Sequence, residues 1–550
     1  MGVIDQAAGL RATFEARRAC WGAEPRALVW QPAPPAAGDA AAARRLAQGV
    51  LLFGGEMRIL PAGTSPWTLD CSSPAWAEAL HGHGWLDDLA ASQHAPTRKA
   101  LIGWVHDWIA TFGQGTGPGW RPDLAARRLI RWIAHATDLL NGADRETSQA
   151  FFRTLSAHAR FLDRRWRHTR PGTERIEALA GQIYARLSLE AGMPAETAIQ
   201  QFGQAAETAV DADGGLSSRN PEDVLRLVEL LGWSAGIVEA AGKACDPGHL
   251  AALSRLLPTL SALTHADGRL ARFHGGRAGA VGAVARAVEA APVAAAPGLP
   301  GSRGEAMGFL RLTGGDATLI VDAAPPPDPG AHMPHASPLA IEFTHGRHPI
   351  IVSAGPGRAF GLETAREGAQ MASQSCLALE TGLHGPADLS SPVSARLTEE
   401  ANGTWALGES HAFHALCGLR HERRLNLSAD GLGLSGEDTL IAGNAEDRAK
   451  LSAGAPPDLG PRRFAALFLM HPDLDVAPAL NGRAALIVLP DGAKWMLRTD
   501  SKSVAIRPAS YFESGRTHPR ATKQVVVSGE ILEYWARVTW SLDRLAAPPA

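Results

Sequence analysis

The spacing of apolar residues changes once along this chain, near residue 295, and that change limits what the chain can fold into. Before it, apolar residues recur every three or four positions. After it, they alternate. A three-to-four stripe must be buried against other helices, whereas alternation buries one face of a sheet. In the first half, Trp120-Arg121-Pro122-Asp123 opens a helix with Asp123 as its cap. Leu124, Ile130, Ile133 and Leu140 form its stripe, and Asn141-Gly142 ends it. A second helix carries Phe151, Leu155, Ala159, Leu162 and Trp166. A third runs from about 174 to 191, with Ile176, Leu179, Ile183 and Leu187 apolar. Two more are expected over 222–241 and 248–264, the last kinked at Pro258. Eleven of the fifteen tryptophans lie in this half. Short Gly, Pro and Asp turns between the helices indicate stacked helical layers rather than alternating β and α units.

Residues 292–304, Pro-, Gly- and Ala-rich, read as a linker. Beyond it come hairpin signatures. Phe309 to Leu312 and Thr318 to Val321 flank Gly314-Gly315-Asp316. Leu339 to Phe343 and Ile350 to Val352 flank His345-Gly346. Leu425 to Leu427 and Leu432 to Leu434 flank Asp430-Gly431, and Ala484 to Leu489 and Trp495 to Arg498 flank Asp491-Gly492. Val525 to Val527 and Tyr534 to Trp540 close the chain. The expected organisation is a helical domain over 1–291, the linker, and an antiparallel β-sandwich over 305–550.

Charge and cysteine usage exclude several function classes. The net charge of −3 provides no general field for nucleic acid or an anionic membrane. No apolar run approaches the roughly 18 residues of a membrane span. Five cysteines, at 20, 71, 245, 376 and 417, are isolated and form no CxxC pair, so neither a disulfide framework nor a thiolate zinc site is indicated. The Gly-rich stretches at 113–119 and 275–282 do not follow a strand in a βαβ unit, so they are no nucleotide loops. There are three tyrosines, Tyr184, Tyr511 and Tyr534, and any chemistry needing a phenol must use one of them.

The helical-then-antiparallel order and a set of local signatures together resemble the heparinase II/III-like proteins. The signatures are Trp120-Arg121-Pro122-Asp123 with Arg127-Arg128; Asp213-Gly214-Gly215 with Ser218-Arg219-Asn220-Pro221; and Asp267-Gly268-Arg269 through Phe273. In the second half they are Gly308-Phe309 to Asp322; Ala331 to His335 followed by Leu339 to Phe343; and His421-Glu422-Arg423 through Gly436-Glu437-Asp438. The resemblance covers about residues 85–545. It implies an incomplete α/α toroid followed by an antiparallel β-sandwich. It also implies β-elimination on an acidic, uronate-containing polysaccharide, with the carboxylate neutralised, a base removing the C5 proton and an acid protonating the leaving oxygen. The family's substrates favour the periplasm as its compartment. The N-terminus, with acids and arginines and no apolar stretch, favours the cytoplasm, which is ranked first.

Position by position, the match is incomplete. Thr173-Glu174 stands where the family carries an Asn-His pair, and Asp223 where it carries a Tyr. His335 is in register with the second His of a His-x-His motif, and the first falls at Met333, beside His332. The remaining positions of the family's structural zinc become Ser353 and Gln374, so no family-type zinc and no other cofactor is expected. The candidate catalytic set is therefore His335 as base or acid, Arg219 and Asn220 as carboxylate binders, and Tyr184 as a second proton-transfer candidate. Asn220-Pro221-Glu222 is equally a good helix start, and Tyr184 equally a core aromatic. Trp120, Arg121, Arg127, Arg128, Arg272, His274 and His332 are candidates for lining a sugar cleft. The alternative to a lyase is a catalytically altered homologue that binds glycan without cleaving it.

Overall fold

A computed structural model describes residues 3–22, 27–35, 38–53, 56–61, 63–70, 73–92, 94–189, 194–327, 334–381, 388, 390–453, 462–502, 504–513 and 515–546. The chain divides into two compact units. The first comprises residues 1–211, 227–254 and 290–293. The second comprises 212–226, 255–289 and 294–550.

Among the described residues, the first unit is helical apart from a hairpin of Val50–Phe53 with Glu56–Ile59. The tryptophan excess goes into its core, where Trp76, Trp108 and Trp132 are buried with Phe151 and Phe161. The helix opened by Pro122 runs only to Ala134 and is followed by a short one over Ala136–Leu139, so the single helix expected to 140 is two. Asp123 lies inside its first turn, and Arg121 is the cap residue. The next two helices are Arg145–Arg165 and Thr173–Ser188. A β-carbon on Gly181 would lie 2.6 Å from that of Ala126, so only glycine allows the helix Thr173–Ser188 to lie this close to Pro122–Ala134.

Among the described residues, the second unit holds three antiparallel sheets. The eight-stranded sheet has the order 475–479, 484–488, 494–499, 535–544, 433–441, 420–428, 403–410, 393–400. A four-stranded sheet has the order 504–511, 520–530, 463–469, 377–381. A five-stranded sheet runs 305–306, 309–314, 317–322, 341–345, 348–351. All four expected hairpins form with their turns where glycine and aspartate put them. Buried side chains of the three sheets meet in one core, including Leu319, Phe343, Leu425, Leu440, Phe468, Trp495 and Val525. The helix Pro221–Ala240 begins in this unit, as does the loop that carries Arg272 and His274.

Candidate functional site

Two buried carboxylates, Asp322 and Glu342, organise the part of the second unit's polar interior where its candidate residues lie. Asp322 ends the apolar strand Ala317–Asp322. Its Oδ1 accepts Arg219 Nη2 at 2.5 Å, and its Oδ2 accepts the Ser337 hydroxyl at 2.6 Å. His274 Nε2 lies 3.2 Å from the same Oδ2. The Arg219 guanidinium holds this carboxyl well below the usual range against the opposing effect of burial.

Arg219 has no donor to spare. Nε reaches Met307 O at 2.7 Å, Nη1 reaches Ala324 O at 3.1 Å and Pro325 O at 2.5 Å, and Nη2 also reaches Gly308 O at 3.2 Å. Its guanidinium carbon sits 4.7 Å from the Phe309 ring centre. The residue itself is in the left-handed region, with φ +48°. The expectation of a guanidinium open to a uronate therefore gives way to one that ties the 307–325 segment together. Asn220, beside it, caps the helix Pro221–Ala240: its Oδ1 accepts the Glu222 N–H at 2.9 Å. Of its two readings, the geometry displays the cap.

The rings of His274 and His335 each accept a backbone N–H from the segment that carries the other. The His335 N–H donates to His274 Nδ1 at 3.3 Å, and the Gly275 N–H donates to His335 Nε2 at 3.1 Å. His274 therefore carries its proton on Nε2, aimed at Asp322, and His335 carries its proton on Nδ1. His335 Nδ1 is buried with no hydrogen-bond partner among the described residues. Burial first, and the neighbouring His274 second, pull the His335 pKa down to about 3. At neutral pH it is an uncharged imidazole whose lone pair is already taken. Such a group can offer an N–H but neither accepts nor releases a proton readily. His332 lies outside the described residues.

Glu342 is the second hub. Oε1 accepts the Ser353 N–H at 3.0 Å, Oε2 accepts the Arg272 N–H at 3.0 Å, and His265 Nε2 is 3.2 Å from Oε2. The Arg272 guanidinium donates to Ser353 O and Ala354 O, each at 3.0 Å, and to Phe512 O. It stacks 4.0 Å over the ring of Tyr511. Arg272 and His274, expected at an open cleft, are buried fasteners. Between Glu342, His265, Arg272 and Tyr511 lies a cavity of about 20 Å³, room for a single water. Ser353 lies in this network, and Gln374 donates its side-chain N–H to Gly368 O at 2.7 Å. Among the described residues, no three His, Cys, Asp or Glu side chains are grouped to hold a metal ion.

The other candidates lie in the first unit. Tyr184, the second proton-transfer candidate, is a core residue: it is buried, stacked on Trp233 at 4.6 Å, and its hydroxyl donates to Ala33 O at 3.1 Å. Burial pushes its phenol well above the ordinary value. Trp120 is no open stacking platform, since it packs on His158 at 4.8 Å and its Nε1 donates to Phe112 O. Arg121 pairs with Glu78 at 2.7 Å and with Asp123 at 2.8 Å, and Arg127 pairs with Glu177 at 2.7 Å. Arg128 is wholly buried. It donates to His81 O and to His158 Nε2, lies 4.1 Å over Trp108, and burial lowers its pKa to about 9. Its cleft-lining expectation becomes a core role.

Sequence reasoning gave no role to Asp322 or Glu342, the two carboxylates that hold the candidate residues in place. A visible signal was there: Glu342 interrupts the apolar strand Ile341–His345, and a carboxylate in a buried strand must have partners.

Comparison with known proteins locates this architecture. The family model described as "Heparinase II/III-like, C-terminal" matches residues 296–541. FtsZ-localized protein C of Caulobacter vibrioides (strain NA1000 / CB15N) is 30% identical over 551 aligned positions, spanning 94% of this chain and 91% of that protein. Among solved structures, a heparinase III matches with a TM-score of 0.66 at 12% identity, covering 88% of this chain and 80% of its own. The heparan sulfate lyase HepC from Pedobacter heparinus matches with a TM-score of 0.55 at 13% identity, covering 98% and 88%. At such identities the likeness is one of fold: a helical toroid followed by an antiparallel β-sandwich. On the sequence relationship and the fold together, this chain belongs to the heparinase II/III-like family.

Proposed function

We propose that this protein keeps the polysaccharide-lyase scaffold without lyase chemistry and works, as the name of its Caulobacter relative suggests, at the location of FtsZ. The observation that carries the first part is the commitment of the candidate groups. β-Elimination needs a cation or amide free to meet a carboxylate, a base with an available lone pair, and an acid. Here all five N–H groups of Arg219 are taken. His335 already accepts a backbone N–H, and Tyr184 is held in the core. Incubating the full chain with heparin, heparan sulfate, hyaluronan, alginate and oligouronates, followed at about 232 nm, is expected to give no unsaturated product. Product formation that His335→Ala abolishes would overturn this reading. Two-colour imaging of a fluorescent fusion with FtsZ is expected to give coincident signals, and an evenly dispersed fusion would remove the second part.

The fold favours one further possibility for the ligand, an acidic glycan bound without turnover. Glycan-array binding that survives His335→Ala supports it, and an empty array discards it.

A further inference from the structure

Three buried polar atoms of the second unit, His335 Nδ1, Ser353 Oγ and Gln374 Oε1, have no hydrogen-bond partner among the described residues. A polar atom left so in an interior is costly, and folded chains leave few of them. These three lie on segments that are fastened to one another. Ala336, next to His335, donates its N–H to Ala369 O at 2.8 Å. Gln374 donates its side-chain N–H to the preceding carbonyl, Gly368 O, at 2.7 Å. Ala354, next to Ser353, donates its N–H to Ser373 O, next to Gln374, at 3.0 Å.

Bonds already made fix what each atom can do. The Gly275 N–H occupies His335 Nε2, which leaves Nδ1 as an N–H donor. The bond to Gly368 O uses the amide nitrogen of Gln374 and leaves Oε1 as an acceptor. The Ser353 N–H is taken by Glu342 and its carbonyl by Arg272, so its hydroxyl remains, able to donate or accept.

One donor, one acceptor and one hydroxyl suit a ligand that accepts and donates at once. A metal ion needs a lone pair from the ring and meets the Nδ1 proton instead. An anion meets the lone pairs of Gln374 Oε1. Water satisfies all three groups, and three bonds are the usual number for an internal water. We infer that His335, Ser353 and Gln374 close round one internal water, which ties the segments 335–336, 353–354 and 368–374 together. Three positions of the family's zinc site therefore form a neutral, hydrogen-bonded post. The Gly275 N–H, by occupying Nε2, is what closes the His335 ring to a metal.

Measurements on the full chain test this. Nitrogen NMR of histidine-labelled protein at neutral pH, with the His335 signal identified by its loss in His335→Gln, is expected to show the neutral ring protonated at Nδ1. Crystallographic density is expected to hold one water within hydrogen-bond distance of Nδ1, Oγ and Oε1, with no anomalous signal at the zinc edge. The unfolding midpoint is expected to be the same with a chelator as with one equivalent of zinc, because an ion bound only by the folded chain would raise it. A His335 ring protonated at Nε2 alone, an anomalous peak among the three side chains, density with no water there, or a zinc-dependent rise in midpoint that His335→Gln abolishes would each overturn the inference.

Discussion

At the scale of single residues, the governing fact is that buried polar groups serve one another. Asp322 neutralises Arg219 and accepts from Ser337 in an interior where an unpartnered charge is costly. Asp322→Ala leaves the guanidinium without its counter-charge. It is expected to destabilise the fold by about 3–5 kcal/mol, read from urea unfolding midpoints. Ser337→Ala removes one donor to that carboxylate and should cost less, about 1.5–3 kcal/mol. Tyr184→Phe loses the bond to Ala33 O and should cost about 0.5–1.5 kcal/mol without altering any binding activity. A large loss of function with intact stability in Tyr184→Phe would mean the phenol is more than a core residue.

At the scale of elements, local pattern and close approach decide different things. Hairpins with a glycine turn and apolar flanks were readable from sequence because turn chemistry and alternation agree. The hairpin Val393–Glu400 with Gly403–Ser410 was not, although Asn402-Gly403 sits at its turn. Val393, Ala395 and Leu397 alternate with polar residues there, but the alternation stops at Leu397 and the strand is exposed over most of its length, so its apolar signal is short and weak. Close approach leaves no such trace in a pattern. Gly436 lies under Trp540, and a β-carbon there would come within 2.2 Å of the indole. That indole donates to Asp438, which also accepts from His421 and Arg423. Gly436→Ala is therefore expected to cost about 1–3 kcal/mol. It should also shift tryptophan fluorescence, whereas Gly492→Ala, whose β-carbon would meet nothing within 4 Å, tests the cost of backbone conformation alone.

At the scale of the whole molecule, buried histidines set the response to acid. His81 and His335 are brought down to about 3 and His471 to about 4, in each case chiefly by burial. His83, His158 and His421 are lowered too, again chiefly by burial. An unfolded chain protonates these near 6.5 and the folded chain refuses the proton. Their contribution is therefore complete above about pH 6.5 and is lost as the pH falls below it. Each group adds a slope of up to about 1.4 kcal/mol per pH unit. Below about pH 4 the depressed carboxyls of Asp322 and Asp438 add to the loss. Unfolding midpoints should hold from pH 7.5 to about 6.5 and then decline down to pH 4, and His335→Gln should flatten the decline. A stability independent of pH over this range would contradict the neutral, buried state of these imidazoles.

The sequence by itself determined the helical-then-antiparallel order, the hairpins with glycine turns and apolar flanks, and the family. Those follow from periodicity, turn residues and the spacing of a few signatures, all of which are local. It also marked the residues around which the interior is built, since Arg219, Arg272, His274 and His335 all sit in one compact unit with Asp322 and Glu342. What it left open was their state. An arginine or histidine in a signature reads the same whether its donors face a ligand or the carbonyls of its own chain. Only the tertiary structure decided that, because the partners of Arg219 lie about a hundred residues away, at 307, 308, 322, 324 and 325. Burial, which turns a proton-transfer histidine into a neutral fastener, is likewise a property of packing and not of spacing.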